Sequence, residues 1–343
     1  MKYLKILFLM LLLASCNKKE LEVVEKKELL VSAHVKFDNT KAIKKTPYFA
    51  DKESIGVVLM NAIDGSRYDP LVPTNLKFTL NHIQTILPEE DSYYEQWSTN
   101  DYAFLTLTKA KVYAYYPYDE YIDREQVFSE ISLEIPSIAK TKDIVDYMYA
   151  TPIDQDQDLV NKDNNNIILT MNHALSQVSF LIYKEKYTEP GIVTEFVLKD
   201  VSSSSHIKVN DKTEKVFMNI LTGNVTGGIK STMTRELDVP IVLNDGAADF
   251  PSSILSVLKD QVNEKGFSTL VIPTGTIMPG ELIFKFTIDN RQLSVTNTNQ
   301  IKFDAGKQYI YKIKLTGSGL KISSISISDW NSVIAEDVDI ILS

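Results

Sequence analysis

The chain has 343 residues, enough at about 150 per domain for two cores of ordinary size. Its formal net charge is −9, with 45 Asp and Glu against 36 Lys and Arg and no basic run, which argues against nucleic acid and anionic lipid head groups as partners. A single cysteine rules out an intrachain disulfide framework and a thiolate metal cluster, and 44% hydrophobic residues against 24% charged ones mark a globular chain.

Met1 to Lys5 is a short basic start, and Ile6 to Leu13 is an apolar run too short to span a bilayer as a helix. Leu13-Ala14-Ser15-Cys16 follows, with small residues before the only Cys of the chain. This is the pattern of a bacterial lipobox, so residues 1–15 read as a lipoprotein signal peptide. Cys16 then becomes the acylated N-terminus, carrying palmitate-type chains, each buried methylene contributing about 0.8 kcal/mol of anchoring. The alternative is an ordinary signal peptide, which leaves the position of the lone Cys unexplained. An outer-membrane lipoprotein is the expectation. Residues 16–28 are charged and read as a tether.

From there the sequence reads as β almost throughout. Leu29, Val31, Ala33, Val35 and Phe37 point one way, and Ser32, His34 and Lys36 the other, a period of two that predicts a half-buried strand. A turn-rich stretch with Lys41, Lys44, Lys45 and Pro47 comes next. Further strands are expected over 55–60, 76–80, 103–107, 112–116, 131–135, 167–171 and 177–183. Pro190-Gly191 signals a turn and a division near Glu189. Beyond it, strands are expected over 193–198, 215–218, 237–243, 269–272, 282–288, 292–296, 309–315, 320–327 and 337–342. Only 251–263 has helical spacing. Many short strands between Gly, Asn, Asp and Pro turns predict an all-β fold of two sandwiches, residues 29–188 and 189–343.

Catalytic patterns are missing: no Gly-x-Ser-x-Gly elbow, no His-Glu-x-x-His, no P-loop and no Gly-x-Gly-x-x-Gly after a strand. His173 borders an apolar strand and reads as a hydrogen-bonded structural histidine. Asp154, Asp156 and Asp158 alternate as calcium-loop ligands do. The sixth loop position is Leu159 rather than Gly, and the twelfth is Asn165 rather than Glu, which breaks the pattern where it is most restrictive. No metal and no cofactor are expected. Paired carboxylates for glycoside hydrolysis cannot be singled out among so many acids. In Tyr113-Ala114-Tyr115-Tyr116-Pro117-Tyr118, exposed rings would make a sugar platform, the feature of a monomeric glycan-binding surface lipoprotein. The simpler reading is a strand with large residues on both faces.

Taken in order, these features resemble the Bacteroidetes fimbrillins, the Mfa-like family of fimbrial subunits. The resemblance rests on the lipobox, the alternating strand, the Lys-rich stretch into Ile55-Gly56-Val57 and the Tyr113–Tyr118 run. It continues with Asp146-Tyr147-Met148-Tyr149-Ala150 and Leu169 to Val178 around His173-Ala174-Leu175-Ser176. Thr222-Gly223, Val271-Ile272-Pro273, Gly306-Lys307-Gln308-Tyr309 and Ile327-Ser328-Asp329-Trp330 complete it, with Met171 where Phe is commoner. It implies two tandem transthyretin-like sandwiches, no enzymatic activity, and surface fimbriae (pili) built head to tail by strand exchange after proteolysis. On that reading Leu29–Phe37 is a placeholder strand and a trypsin-like protease cuts at Lys41, Lys44 or Lys45. Ile334, Val338, Ile340 and Leu342 share one face of a candidate donor tail, unless that tail is the last strand of its own domain. The partners would be other fimbrial subunits, the protease, the outer membrane and a host or bacterial surface ligand.

Overall fold

The computed structural model describes residues 25–35, 49–84, 93–126, 128–152, 159–245 and 267–330. The chain begins with β1 (Lys27–Glu28), β2 (Leu30–Val35), β3 (Ser54–Asn61), β4 (Leu76–Gln84), β5 (Tyr93–Ser98), β6 (Phe104–Leu105) and β7 (Ala110–Tyr116). Then come β8 (Glu130–Leu133), β9 (Ile138–Lys140), β10 (Met148–Ala150), β11 (Asn166–His173) and β12 (Ser176–Lys184). The remainder holds β13 (Ile192–Asp200), β14 (Lys208–Val209), β15 (Val216–Asn219), β16 (Val225–Gly227), β17 (Ile229–Lys230) and β18 (Met233–Val242). It closes with β19 (Ser268–Val271), β20 (Leu282–Ile288), β21 (Arg291–Thr296), β22 (Lys307–Thr316) and β23 (Gly319–Asp329). Among the described residues the only helical element is a 3-10 turn at Thr141–Asp143. The helical spacing over 251–263, the acids at 154–158 and the expected strand 337–342 lie outside the described residues.

The first sheet has the order β2-β11-β10-β7-β3-β4-β5 and curls until its two edge strands, β2 and β5, approach each other. It wraps a core of Val31, Val57, Leu59, Phe78, Leu80, Val112, Ala114, Leu169 and Met171, among others. The second core lies between two facing sheets, β19-β12-β22-β23 and β21-β20-β13-β18-β9. Alternation builds it: Leu282, Phe284, Phe286 and Ile288 of β20 all point inward, and Phe180 of β12 meets Phe284 and Phe286 at 5.2 and 5.1 Å between centroids.

β3 is buried continuously because both its faces are covered. Val57 and Leu59 face the first core, while Val58 and Met60 on the opposite face join the second. Tyr115 does the same from β7. Its ring lies over Gly56, where an added Cβ would stand 2.1 Å from it, so the residue beneath the ring has to be glycine. The Asn219–Asn224 turn is pressed on Tyr149 of β10 in the same way: Gly223, at φ +75, leaves no room for a Cβ against that ring.

The chain passes from the first core to the second between Met171 and Ala174. Glu189, where the Pro-Gly signal suggests the division, stands in the turn between β12 and β13. Two strands cross the other way. β8 pairs with β15, and β9 runs parallel to β18 at the edge of the five-stranded sheet. Arg235 of β18 is fully buried and fastens this crossing, donating to the Pro136 carbonyl at 3.1 Å and to the Thr269 hydroxyl at 2.8 Å. Burial draws its pKa down to about 10, so it stays charged at neutral pH.

Candidate assembly groove

β2 occupies a slot at the open edge of the first sheet. It pairs in parallel with β11, from Leu30 beside Asn166 to Val35 beside Met171. Alternation sends Leu29, Val31, Ala33 and Val35 into the first core, each 6% exposed or less, and turns Leu30, Ser32 and His34 outward. Its other flank faces β5 without a backbone ladder. The slot is therefore a groove with one hydrogen-bonding wall and a row of alternate apolar places.

At the Leu29 end the segment is pinned by polar contacts. The Leu29 N–H donates to the Ala103 carbonyl at 3.0 Å, and the Leu30 N–H to the Asn165 carbonyl at 2.8 Å. Asn165 Nδ2 donates to the Glu28 carbonyl at 2.6 Å. Lys162 Nζ meets Glu25 at 2.6 Å and holds its carboxyl below the usual range. Lys26 Nζ stands 3.8 Å over the Phe104 ring, which packs edge-on against Tyr102 at 4.3 Å.

At the Val35 end, Phe49 packs edge-on against Trp97 of β5 and Tyr116 of β7, both at 5.3 Å. His173, two residues past the last paired position of β11, stacks on Trp330 at 3.9 Å and 13°. Its Nδ1 lies 2.8 Å from Asp146, and the Trp330 N–H donates to the Gly306 carbonyl at 2.8 Å. The last described residue, Trp330, is thus fixed beside the groove's Val35 end.

Of the residues singled out from sequence, Leu29, Val31, Ala33 and Val35 come together in the groove. Cys16, Phe37, Lys41, Lys44, Lys45, Ile334, Val338, Ile340 and Leu342 lie outside the described residues. His173 is buried, between Asp146 and the Trp330 ring. The tyrosines make no shared platform: Tyr115 is fully buried with its hydroxyl on Asn75 at 2.8 Å, and Tyr116 faces the other way, donating to Glu53 at 2.9 Å. Tyr113 instead borders an open cleft of about 450 Å³ with Lys111, Phe128 and Leu221. Asn165 and Lys162 escaped sequence reasoning, since nothing local ties them to a segment more than a hundred residues away. Among the described residues no group of three or more His, Cys, Asp and Glu is placed to hold a metal.

A family model described as fimbrillin-like matches residues 40–330. Crystal structures of two proteins described as candidate cell adhesion proteins share the fold. One, from Bacteroides uniformis, is 17% identical with a TM-score of 0.53, covering 88% of this chain and 98% of that one. The other, from Bacteroides ovatus, is 12% identical with a TM-score of 0.57, covering 91% and 100%. No curated protein sequence matches the chain.

Proposed function

The chain belongs to the fimbrillin-like family, and from that premise we propose that it is a subunit of a surface fimbria assembled by proteolysis-triggered strand exchange. Family membership carries the coarser part: a fimbrial role at the cell surface, in company with other fimbrial subunits. The observation that best supports the finer part is the groove. Its occupant, β2, is an edge strand held by one backbone ladder and four alternate apolar side chains, so it can leave without cutting through a sheet. A strand from a neighbour restores the same contacts, and a head-to-tail contact of that kind does not close, so it builds a filament.

The precursor is exported, acylated at Cys16 and anchored in the outer membrane. A trypsin-like protease cuts at Lys41, Lys44 or Lys45, and Leu29–Phe37 is released. Ile334, Val338, Ile340 and Leu342 of another copy, one face of a tail interrupted by Glu336, refill the groove. The role is structural and adhesive and asks for no catalysis, metal or cofactor.

Limited trypsin digestion of purified protein, followed by size-exclusion chromatography and negative-stain microscopy, tests this. Filaments are expected from the digested protein, and none after deletion of Glu336–Ser343 or after the triple change Lys41→Gln, Lys44→Gln, Lys45→Gln. Filaments of normal length from the deletion variant reject the tail as donor; from the triple variant they reject those lysines as the processing site. Mass spectrometry of membrane-extracted protein is expected to find acylated Cys16 as the first residue.

A further inference from the structure

Beyond any part in a fibre, we infer that the chain carries a saccharide site: the open cleft beside Tyr113, at the joint between the two cores, takes a neutral sugar stacked on the Tyr113 ring and held by its hydroxyl groups. This site is independent of strand exchange, because it needs neither the release of β2 nor a neighbour's strand.

The cleft exists because the outer face of the first sheet is only partly covered. Lys111, Tyr113 and Tyr115 alternate along β7 on that face. Tyr115 is fully buried in the second core, and Tyr113 is only half-buried against it. Cover thus runs out along the strand, and at Tyr113 a space of about 450 Å³ opens. Small-ligand sites occupy roughly 300–1,000 Å³, and a joint between two packed units is a usual place for one.

The walls are set before any ligand arrives. Phe128 packs edge-on against Tyr115, with ring centroids 6.1 Å apart. Leu221 belongs to the turn that Gly223 presses on Tyr149, and its N–H donates to Asn219 Oδ1 at 3.0 Å. The facing wall is the turn after β3. There the Gly65 N–H donates to the Asn61 carbonyl at 2.9 Å, and the Ser66 N–H and hydroxyl both donate to Asp64 Oδ1, at 2.9 and 2.7 Å. Walls fixed in this way lose little freedom on binding.

What the cleft leaves open is side-chain chemistry. The backbone around it is already engaged: Met60 and Asn61 pair with Lys111 and Ala110, the Ala62 N–H donates to the Lys109 carbonyl, and the Ser129 carbonyl accepts from the Ile220 N–H. A peptide adding as a strand therefore finds no ladder there. By contrast, the Tyr113 hydroxyl, the Asn61 amide nitrogen and the Ser129 hydroxyl make no hydrogen bond among the described residues. Asp64 has a second carboxylate oxygen beyond the one that Ser66 occupies, and the bonds from Ser66 hold its carboxyl below the usual range, so it is an anionic acceptor at neutral pH. The lining has one cation, Lys111, and one anion, Asp64, and so no net charge to draw in a phosphate or a metal ion. A flat ring beside open amide, hydroxyl and carboxylate groups suits a ligand with a C–H face and a rim of hydroxyl groups, which describes a sugar.

The test is retention of purified protein on immobilised neutral oligosaccharides ending in mannose, galactose, glucose, fucose or N-acetylglucosamine, with sialylated and sulfated glycans alongside. Retention is expected on neutral glycans that share a terminal sugar, and the free methyl glycoside of that sugar is expected to displace the protein. Tyr113→Ala is expected to weaken binding at least tenfold. Because Tyr113 also packs on the second core, Ala62→Trp provides a second variant that fills the cleft from its half-exposed rim, with the same loss expected and with circular dichroism and elution unchanged. Tyr121→Ala removes a ring that is 91% exposed outside the cleft and is expected to leave binding as it was. No retention on any neutral glycan, retention on acidic glycans alone, or full binding by Ala62→Trp overturns the site. Filament formation is read separately, so none of these outcomes bears on the fimbrial reading.

Discussion

Two buried tyrosines show how one hydroxyl group can stabilise or destabilise the same molecule. Tyr115 donates to Asn75 at 2.8 Å and accepts from the Asp119 N–H at 3.3 Å, so its fully buried oxygen is satisfied. Tyr311, equally buried among Phe180 and Phe284, has no hydrogen-bond partner among the described residues, and burial pushes its pKa up. An unmade buried hydrogen bond costs about 1–3 kcal/mol. Tyr311→Phe is therefore expected to raise the melting temperature by about 2–5 °C, and Tyr115→Phe to lower it by a similar amount. Calorimetry of both variants checks the pair. A fall for Tyr311→Phe would mean that its hydroxyl has a partner after all.

As an edge strand, β2 has a stability separable from that of the sheet it joins. Its inward side chains contribute by area, so trimming one weakens its hold without touching the sheet behind it. Val31→Ala is expected to destabilise β2 by about 1–2 kcal/mol and to speed release of the cleaved N-terminal fragment at least fivefold. The measurement is the appearance of that fragment after a trypsin pulse; an unchanged rate would place the barrier to exchange elsewhere. This strand was legible in the sequence because one face is buried and one is wet, which a period of two records directly. β5 was not: Tyr-Tyr-Glu-Gln-Trp-Ser has no apolar alternation, and only Trp97 declares a buried side. β8 and β9 show a different gap. The strand over 131–135 could be read locally, but not its partner, because β15 is some eighty residues further on and pairing over such distances leaves no local pattern. The groove was half legible for the same reason. Its occupant could be read, whereas Asn165 and Lys162, which grip it, could not.

For the whole molecule, several of the residues that carried the family resemblance turn out to make the joint between the two cores. Tyr115 lies on Gly56, Tyr149 on Gly223, and His173 against Trp330, with Gly306 accepting from the Trp330 N–H. The outer face of the first sheet is part of the second core, and β12 stands on the far side of the divide from β11. A fragment of residues 17–188 would expose Val58, Met60 and Tyr115 and leave β8, β9 and β12 without partners. Such a fragment is expected to be insoluble or unfolded, and the intact chain to unfold in one calorimetric transition. Two resolved transitions, or a soluble folded fragment, would show that the joint is weaker than its packing indicates. The Pro190-Gly191 signal pointed to a division because it marks a real turn. That the turn lies within the second unit could not be read from its composition.

The register of the groove also bears on how a fibre responds to being pulled. A strand in the position of β2, parallel to β11 and loaded along its own length, is sheared rather than peeled. The paired positions from Asn166 to Met171 share the force, so the ladder has to fail together instead of one rung after another. Fluid drag on a fimbria acts along the fibre. A junction of this geometry should therefore yield only at high force along that axis, while giving way readily to a force that lifts one end of the strand sideways.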